Sequence, residues 1–257
     1  MLFDTNTYDI FEGMTSISAV IKSICELGSD RKIVKILYDD ARSKQKSREL
    51  KFLAHKAQEL DFTLEASSAA IIDELCAGKT HGGIAAVCTK RSFPKLNVNF
   101  LTSGSFFALI DGIEDPYNFG YSVRSLYAAG VDGIVLPERN WMDFAGTVAR
   151  SAAGTSELAS ICFCNSLDAV KFFKDNGFEI VCAGIRDSVS IYEHDFSKPV
   201  LLVVGGEKRG ISGQILELSD VNVRIDYARE FMGSLPSASA ISIIAFEIAR
   251  QRSIKNI

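Results

Sequence analysis

Between residues 106 and 252 the chain alternates short, β-branched apolar runs with stretches of helical periodicity, and this alternation restricts the fold more than any other feature. Strands are predicted at 106–111, 133–136, 159–163, 179–183, 200–204 and 221–225, and helices at 119–129, 143–153, 166–176, 212–218 and 236–252. Strands that are apolar on both faces need cover on both faces. The predicted fold class is therefore α/β with a mostly parallel sheet. Upstream, strands at 33–38, 62–65 and 84–89 with helices at 49–60 and 68–77 describe a smaller α/β unit. Residues 91–104 hold Pro94, Gly104 and several Asn, Ser and Thr residues, and read as a linker. Two domains are expected, 1–97 and 98–257.

Composition narrows the function classes. At 257 residues and 47% hydrophobic, the chain can bury a sizeable core. No run of eighteen apolar residues occurs, and the start Met-Leu-Phe-Asp-Thr-Asn lacks a basic stretch followed by an apolar one. No membrane span or secretory leader is expected, and the predicted location is cytoplasmic. The six cysteines form no Cys-x-x-Cys pair and mostly sit in apolar runs, so they read as reduced, packed residues. The three histidines show no ligand spacing, and no metal is expected. The net charge of −4 argues against indiscriminate nucleic-acid binding. Residues 1–97 carry 14 Lys/Arg against 13 Asp/Glu, whereas the remainder carries 14 against 19, so any RNA contact is expected in the first part.

Three polar, glycine-marked loops follow buried strands. The first, Asp115-Pro-Tyr-Asn118-Phe-Gly120-Tyr-Ser-Val-Arg124, combines a turn, a possible helix cap at Asn118 and an arginine near the carboxyl edge of the sheet. The second, Gly205-Gly206-Glu207-Lys-Arg-Gly210, ends the most apolar strand, where glycines let a flat ligand approach the backbone. It lacks the spacing of a phosphate-binding or dinucleotide-binding glycine loop, which weakens an oxidoreductase reading. The third, Gly233-Ser234-Leu235-Pro236, opens the last helix, with Ser234 as a cap or a site residue and Pro236 suited to the first turn. Each loop read singly is compatible with plain capping and packing.

In this order and spacing the loops resemble the three motifs of the SpoU/TrmH family of RNA 2′-O-ribose methyltransferases, over about residues 104–252. Asn118, Gly120 and Arg124 match the first motif, followed by Ala128-Ala-Gly-Val-Asp-Gly133. Gly205, Glu207 and Gly210 match the second, and Ser234, Leu235 and Ala240 the third. Arg150-Ser-Ala-Ala-Gly154 is similar to another family stretch, and Lys79-Thr-His81-Gly82-Gly83 resembles the tail of a small ribosomal-protein-like substrate-binding domain. The resemblance implies S-adenosylmethionine as cofactor, a deep trefoil knot, a homodimer and a structured RNA substrate, ribosomal rather than transfer RNA. By the same resemblance Arg124, Asn118, Glu207 and Ser234 are the catalytic candidates. Gly184, Gly205, Gly206, Ile225 and Leu235 would line the cofactor pocket. Pro236 stands where the family has Asn, and 228–233 is about one residue longer; a proline lacks both the amide side chain and the backbone N–H.

Methyl transfer to a ribose hydroxyl requires its proton to leave and the developing alkoxide to be stabilised. Because a guanidinium keeps its proton to about pH 12, Arg124 is expected to hold the alkoxide or a phosphate rather than act as a simple base. The run from Arg42 through Lys44, Lys46 and Arg48 to Lys51 is the candidate RNA contact, with solvated surface as the alternative. The competing function is a non-catalytic RNA- or cofactor-binding protein on the same scaffold.

Overall fold

The computed structural model describes residues 4, 7–78, 80–101, 105–138, 144–206 and 209–255. In chain order its elements are β1 (Tyr8–Glu12), α1 (Gly13–Leu27), β2 (Ile33–Asp39), α2 (Ser47–Leu60), β3 (Thr63–Ser67), α3 (Ala69–Leu75), β4 (Ile84–Thr89), β5 (Phe106–Asp111), α4 (Pro116–Ala128), β6 (Gly133–Leu136) and α5 (Ala145–Ser151). There follow α6 (Thr155–Leu158), β7 (Ile161–Phe163), α7 (Ser166–Asp175), β8 (Glu179–Ala183), β9 (Ser188–Ser190), β10 (Val200–Gly205), α8 (Gly213–Leu218), β11 (Val221–Arg224) and α9 (Ser237–Lys255). They form two compact units, one of Met1–Ser92 with Asn140–Leu158, the other of Phe93–Arg139 with Ala159–Ile257.

In the first unit four strands are ordered β1-β4-β2-β3. β4 runs antiparallel to both neighbours, and β2 and β3 are parallel. The core packs Phe11, Ile17, Val20, Ile36, Leu53 and Ile84 together with Ala145 and Ala149 of α5. The segment 144–158 thus belongs to this unit, although it lies between β6 and β7 in sequence. Small residues allow the approach: a Cβ on Gly146 would lie 1.9 Å from the Ile10 carbonyl oxygen, and one on Gly154 2.6 Å from the Ala19 side chain. Charge fixes it. Arg31, 1% exposed, donates through Nη1 to Asp9 at 2.6 Å and through Nε to Glu157 of α6 at 3.0 Å. The same Nη1 reaches the Thr89 carbonyl at 2.6 Å, and the guanidinium lies 4.7 Å from the Phe11 ring centre. Burial works against the Arg31 charge, but Glu157 and Asp9 outweigh it, so its pKa is raised. Arg150 of α5 pairs with buried Glu12 at 3.2 Å.

β1 and α1 are elements that the sequence pattern did not reveal. Asp9 and Glu12 look like surface residues, yet both are buried beside arginines supplied from elsewhere in the chain. Within the stretch read as a linker, residues 94–100 make ordered contacts. Leu96 N–H donates to the Phe163 carbonyl and Phe163 N–H to the Pro94 carbonyl, and Phe100 packs on Phe107 with ring centres 5.6 Å apart. Its apolar side chains draw it onto the edge of the second sheet.

In the second unit seven strands are ordered β7-β6-β5-β10-β8-β11-β9, and every pairing is parallel. The short β9 was not expected. Phe107, Phe173 and Phe178 form the aromatic centre of the core, with ring centres 5.0–5.5 Å apart. The chain winds from β5 outward to β7 and then returns, setting β10 between β5 and β8. Such a switch point opens a crevice at the carboxyl ends of the strands.

All six cysteines are unpaired. Burial pushes the Cys76 and Cys162 thiols up to about 12 and raises Cys88 as well, so they pack as small apolar groups rather than react.

Candidate active site

A cavity of about 820 Å³ opens at the carboxyl ends of β8, β10 and β11. Its walls are Ala183–Arg186 after β8, Val204–Gly206 after β10, Val223–Tyr227 after β11, and the approach to α9 with Ala240 and Ile244. Gly184, Gly205, Gly206, Ile225 and Leu235, drawn from four separate stretches of sequence, all line it, as does Ser234.

The glycines are needed for the shape. A Cβ on Gly205 would sit 2.3 Å from the Gly210 carbonyl carbon, and one on Gly206 2.2 Å from the Gly112 carbonyl oxygen. Gly205 therefore lies close against Gly210 and Gly206 against Gly112, and the Gly210 N–H donates to the Gly206 carbonyl at 2.9 Å, with Gly210 at φ 63. At Gly184 a Cβ would meet nothing within 4 Å. The lining is mostly apolar side chains and main chain, with Arg186, Arg224 and Asp226 as its charged members. Of these, Arg224 and Asp226 pair at 2.8 Å, and Asp226 is held below the usual carboxylate range by hydrogen bonds from Ser190 and Arg224. The volume falls within the several-hundred Å³ range typical of small-molecule sites.

The other candidate residues fall elsewhere. Asn118 and Arg124 stand on α4 and do not line this cavity; Arg124 is exposed and Asn118 half-buried. Asn118 is not the helix cap. Asp115 is, its carboxylate accepting the Asn118 N–H at 2.8 Å. α4 is tied to α9 by the Ser125 and Ser242 hydroxyls, 2.6 Å apart. A second cavity of about 230 Å³ is lined by Asp111, Gly112 and Glu114, on the path from β5 to α4, and by Gly206, Arg209, Gly210 and Ser212. Glu207 lies outside the described residues. Among the described residues the Ser234 side chain makes no capping hydrogen bond, and the Pro236 carbonyl accepts the N–H groups of Ser239 and Ala240 at 2.9 and 3.0 Å. Pro236 thus precedes the helix instead of opening its first turn.

The basic run begins in the turn before α2 and continues along that helix. Arg42, Lys44, Arg48 and Lys51 are exposed and Lys46 is half-buried. Arg42 pairs with Asp39 at 3.4 Å and Lys46 with Glu49 at 3.2 Å, so those two charges are partly neutralised. Among the described residues Lys44, Arg48 and Lys51 have no ion-pair partner. Sequence reasoning missed Arg186, Ile211 and Phe231 as cavity residues. The glycines at positions 184, 210 and 233 beside or near them were the available signal. Among the described residues no group of three or more His, Cys, Asp or Glu could hold a metal ion, and no helix is long and apolar enough to cross a membrane.

A parallel α/β sheet with a glycine-walled cavity at its strand ends defines a small-molecule-binding protein whose ligand would meet main chain on several sides. The profile of the SpoU rRNA Methylase family matches residues 105–246, and the chain belongs to that family, one of RNA methyltransferases. A Staphylococcus saprophyticus protein assigned to the TrmH family of tRNA/rRNA methyltransferases is 31% identical over 56% of this chain, which spans 58% of that relative's length. The 23S rRNA (guanosine-2′-O-)-methyltransferase RlmB of Shewanella oneidensis is 26% identical over 95% of this chain and 98% of its own. Among solved structures, the AdoMet-bound rRNA methyltransferase from Sinorhizobium meliloti superposes with a TM-score of 0.76 at 24% identity, covering 95% of this chain and 88% of that one. The SpoU methyltransferase AviRb from Streptomyces viridochromogenes, in complex with AdoMet, gives 0.74 at 22% identity, covering 97% and 92%. At these identities the two structures speak to the fold.

Proposed function

We propose that this protein transfers a methyl group from S-adenosylmethionine to a ribose 2′-hydroxyl of a structured RNA, ribosomal RNA before transfer RNA. The observation that carries the reading is the meeting of Gly184, Gly205, Gly206, Ile225 and Leu235 around one cavity at the strand ends of a SpoU-family chain. The ribosomal substrate is favoured by the RlmB relative, whose match runs nearly the full length of both chains.

When bound, S-adenosylmethionine supplies an electrophilic methyl on a sulfonium that leaves with little assistance. The remaining work falls to the chain. The 205–206 and 235–236 backbone would hold the cofactor, and Ser234 would orient the incoming ribose. Arg124, as a planar donor fork, would hold the developing alkoxide or the adjacent phosphate, with Asn118 positioning it one to two turns earlier on α4. Arg124 shares an exposed stripe of α4 with Tyr117 and Tyr121. Self-association over that aromatic face, as a homodimer, would shelter the arginine from bulk water. The placement of β10 between β5 and β8, followed by β11 and α9, suits the trefoil path proposed for this part of the chain.

Incubating the purified protein with methyl-labelled S-adenosylmethionine and either ribosomal or transfer RNA tests the reading. Label is expected in ribosomal RNA. Cofactor binding without transfer to either RNA would favour a non-catalytic binding protein. A second expectation concerns RNA affinity. If Lys44, Arg48 and Lys51 meet phosphates, the logarithm of affinity falls linearly with that of salt, and Arg48→Glu with Lys51→Glu lowers the slope by about 1.5–2. An unchanged slope would make the run ordinary solvated surface.

A further inference from the structure

The rim of the cavity carries two aromatic side chains that stay open to solvent. Tyr227 and Phe231 both line the cavity and keep their outer surfaces in solvent, 37% and 56% exposed, with ring centres 5.7 Å apart and planes at 58°. Ile185, 69% exposed, lines the same mouth, and Met232, 95% exposed, follows Phe231 directly. Large apolar side chains grouped in water at a cavity mouth mark a contact surface.

These rings are fixed in place. The Tyr227 hydroxyl accepts the Leu235 N–H at 3.2 Å, tying the ring to the segment that forms the cavity wall. Phe231 lies against the backbone of Gly233, where a Cβ would come within 2.6 Å of the ring. With Tyr227 anchored by a main-chain hydrogen bond and Phe231 seated on a glycine, the tilted pair presents exposed aromatic surface at the mouth. Arg186 lines the same cavity, is exposed, and among the described residues has no ion-pair partner. Aromatic surface and an exposed guanidinium lining one cavity suit a heteroaromatic base attached to a phosphate.

We infer that Tyr227 and Phe231 form a stacking platform for an unpaired nucleobase of the RNA substrate at the mouth of the cavity. The inference rests on the methyltransferase reading and names its substrate class, a nucleotide in a loop, bulge or single strand. A base held in a duplex offers no free face to these rings, whereas an unstacked one does. Arg186 meets a phosphate of the same strand.

The test compares wild type, Phe231→Ala and Phe231→Trp for binding to a short single-stranded oligoribonucleotide and to its duplex, with S-adenosylmethionine affinity measured separately. Wild type is expected to prefer the single strand. Phe231→Ala is expected to weaken single-strand binding about tenfold, within the range for loss of one base–aromatic stack, and to weaken cofactor binding by much less than RNA binding. Phe231→Trp is expected to restore binding, with its indole fluorescence quenched on RNA addition. Equal single-strand affinity in wild type and Phe231→Ala, or no wild-type preference for the single strand, would overturn the platform. A loss of cofactor affinity as large as the loss for RNA would also overturn it, because the ring would then cover the cofactor. The binding readout is independent of methyl transfer: if wild type binds RNA as expected yet transfers no methyl, the enzymatic reading fails and the platform stands.

Discussion

Replacing Arg31 with methionine is expected to destabilise the first unit by about 3–5 kcal/mol, the range for removing one partner from a buried ion pair. The guanidinium is the common partner of Asp9 on β1 and Glu157 on α6, with side chains 0%, 3% and 4% exposed. Its removal takes the shared cation from two buried carboxylates and the donor from the Thr89 carbonyl. Urea unfolding of wild type and variant measures the loss. The cause is separable: in an Asp9→Asn, Glu157→Gln background the same substitution is expected to cost less, because the orphaned charges are gone. A loss below about 1 kcal/mol, or an equal loss in both backgrounds, would contradict a charge-based role.

Arg124→Ala is expected to lower kcat for RNA methylation by about 10²–10³-fold, the usual consequence of removing one donor to a developing oxyanion. S-adenosylmethionine affinity should be unchanged, because Arg124 stands on α4 outside the cavity lining. Arg124→Lys keeps the charge and loses the planar fork, so it should recover only part of the rate. Wild-type activity in the lysine variant would exclude a geometry-dependent role, and loss of cofactor affinity would contradict the position of α4.

Both expectations turn on residues whose legibility in the sequence differed. Six of the seven strands of the second unit were visible because each is an apolar run ended by a polar or glycine turn, and the cavity glycines were visible because they end or follow those strands. Glycine at 205 and 206 answers to main-chain crowding, which leaves a direct mark on sequence. The Asp9–Arg31–Glu157 network left no such mark. Its members are charged residues drawn from separate parts of the chain, and only the fold brings them together. For the same reason α5 and α6 read as part of the alternating strand–helix region, while their small and charged residues pack them with β1 and α1. Asn118 was read as a cap because its type suits one, but the neighbouring Asp115 is better placed to accept its N–H. The Phe231 platform depends on a contact with Gly233 that periodicity does not encode.

The most direct test of the account is the chemical identity of the product. Ribosomal RNA methylated by the purified protein with labelled S-adenosylmethionine is digested to nucleosides and the labelled species is identified. A 2′-O-methylnucleoside, resistant to alkaline cleavage at its 3′ side in the intact RNA, is the predicted result. Label on a base, or no label from a protein that binds the cofactor, would contradict it.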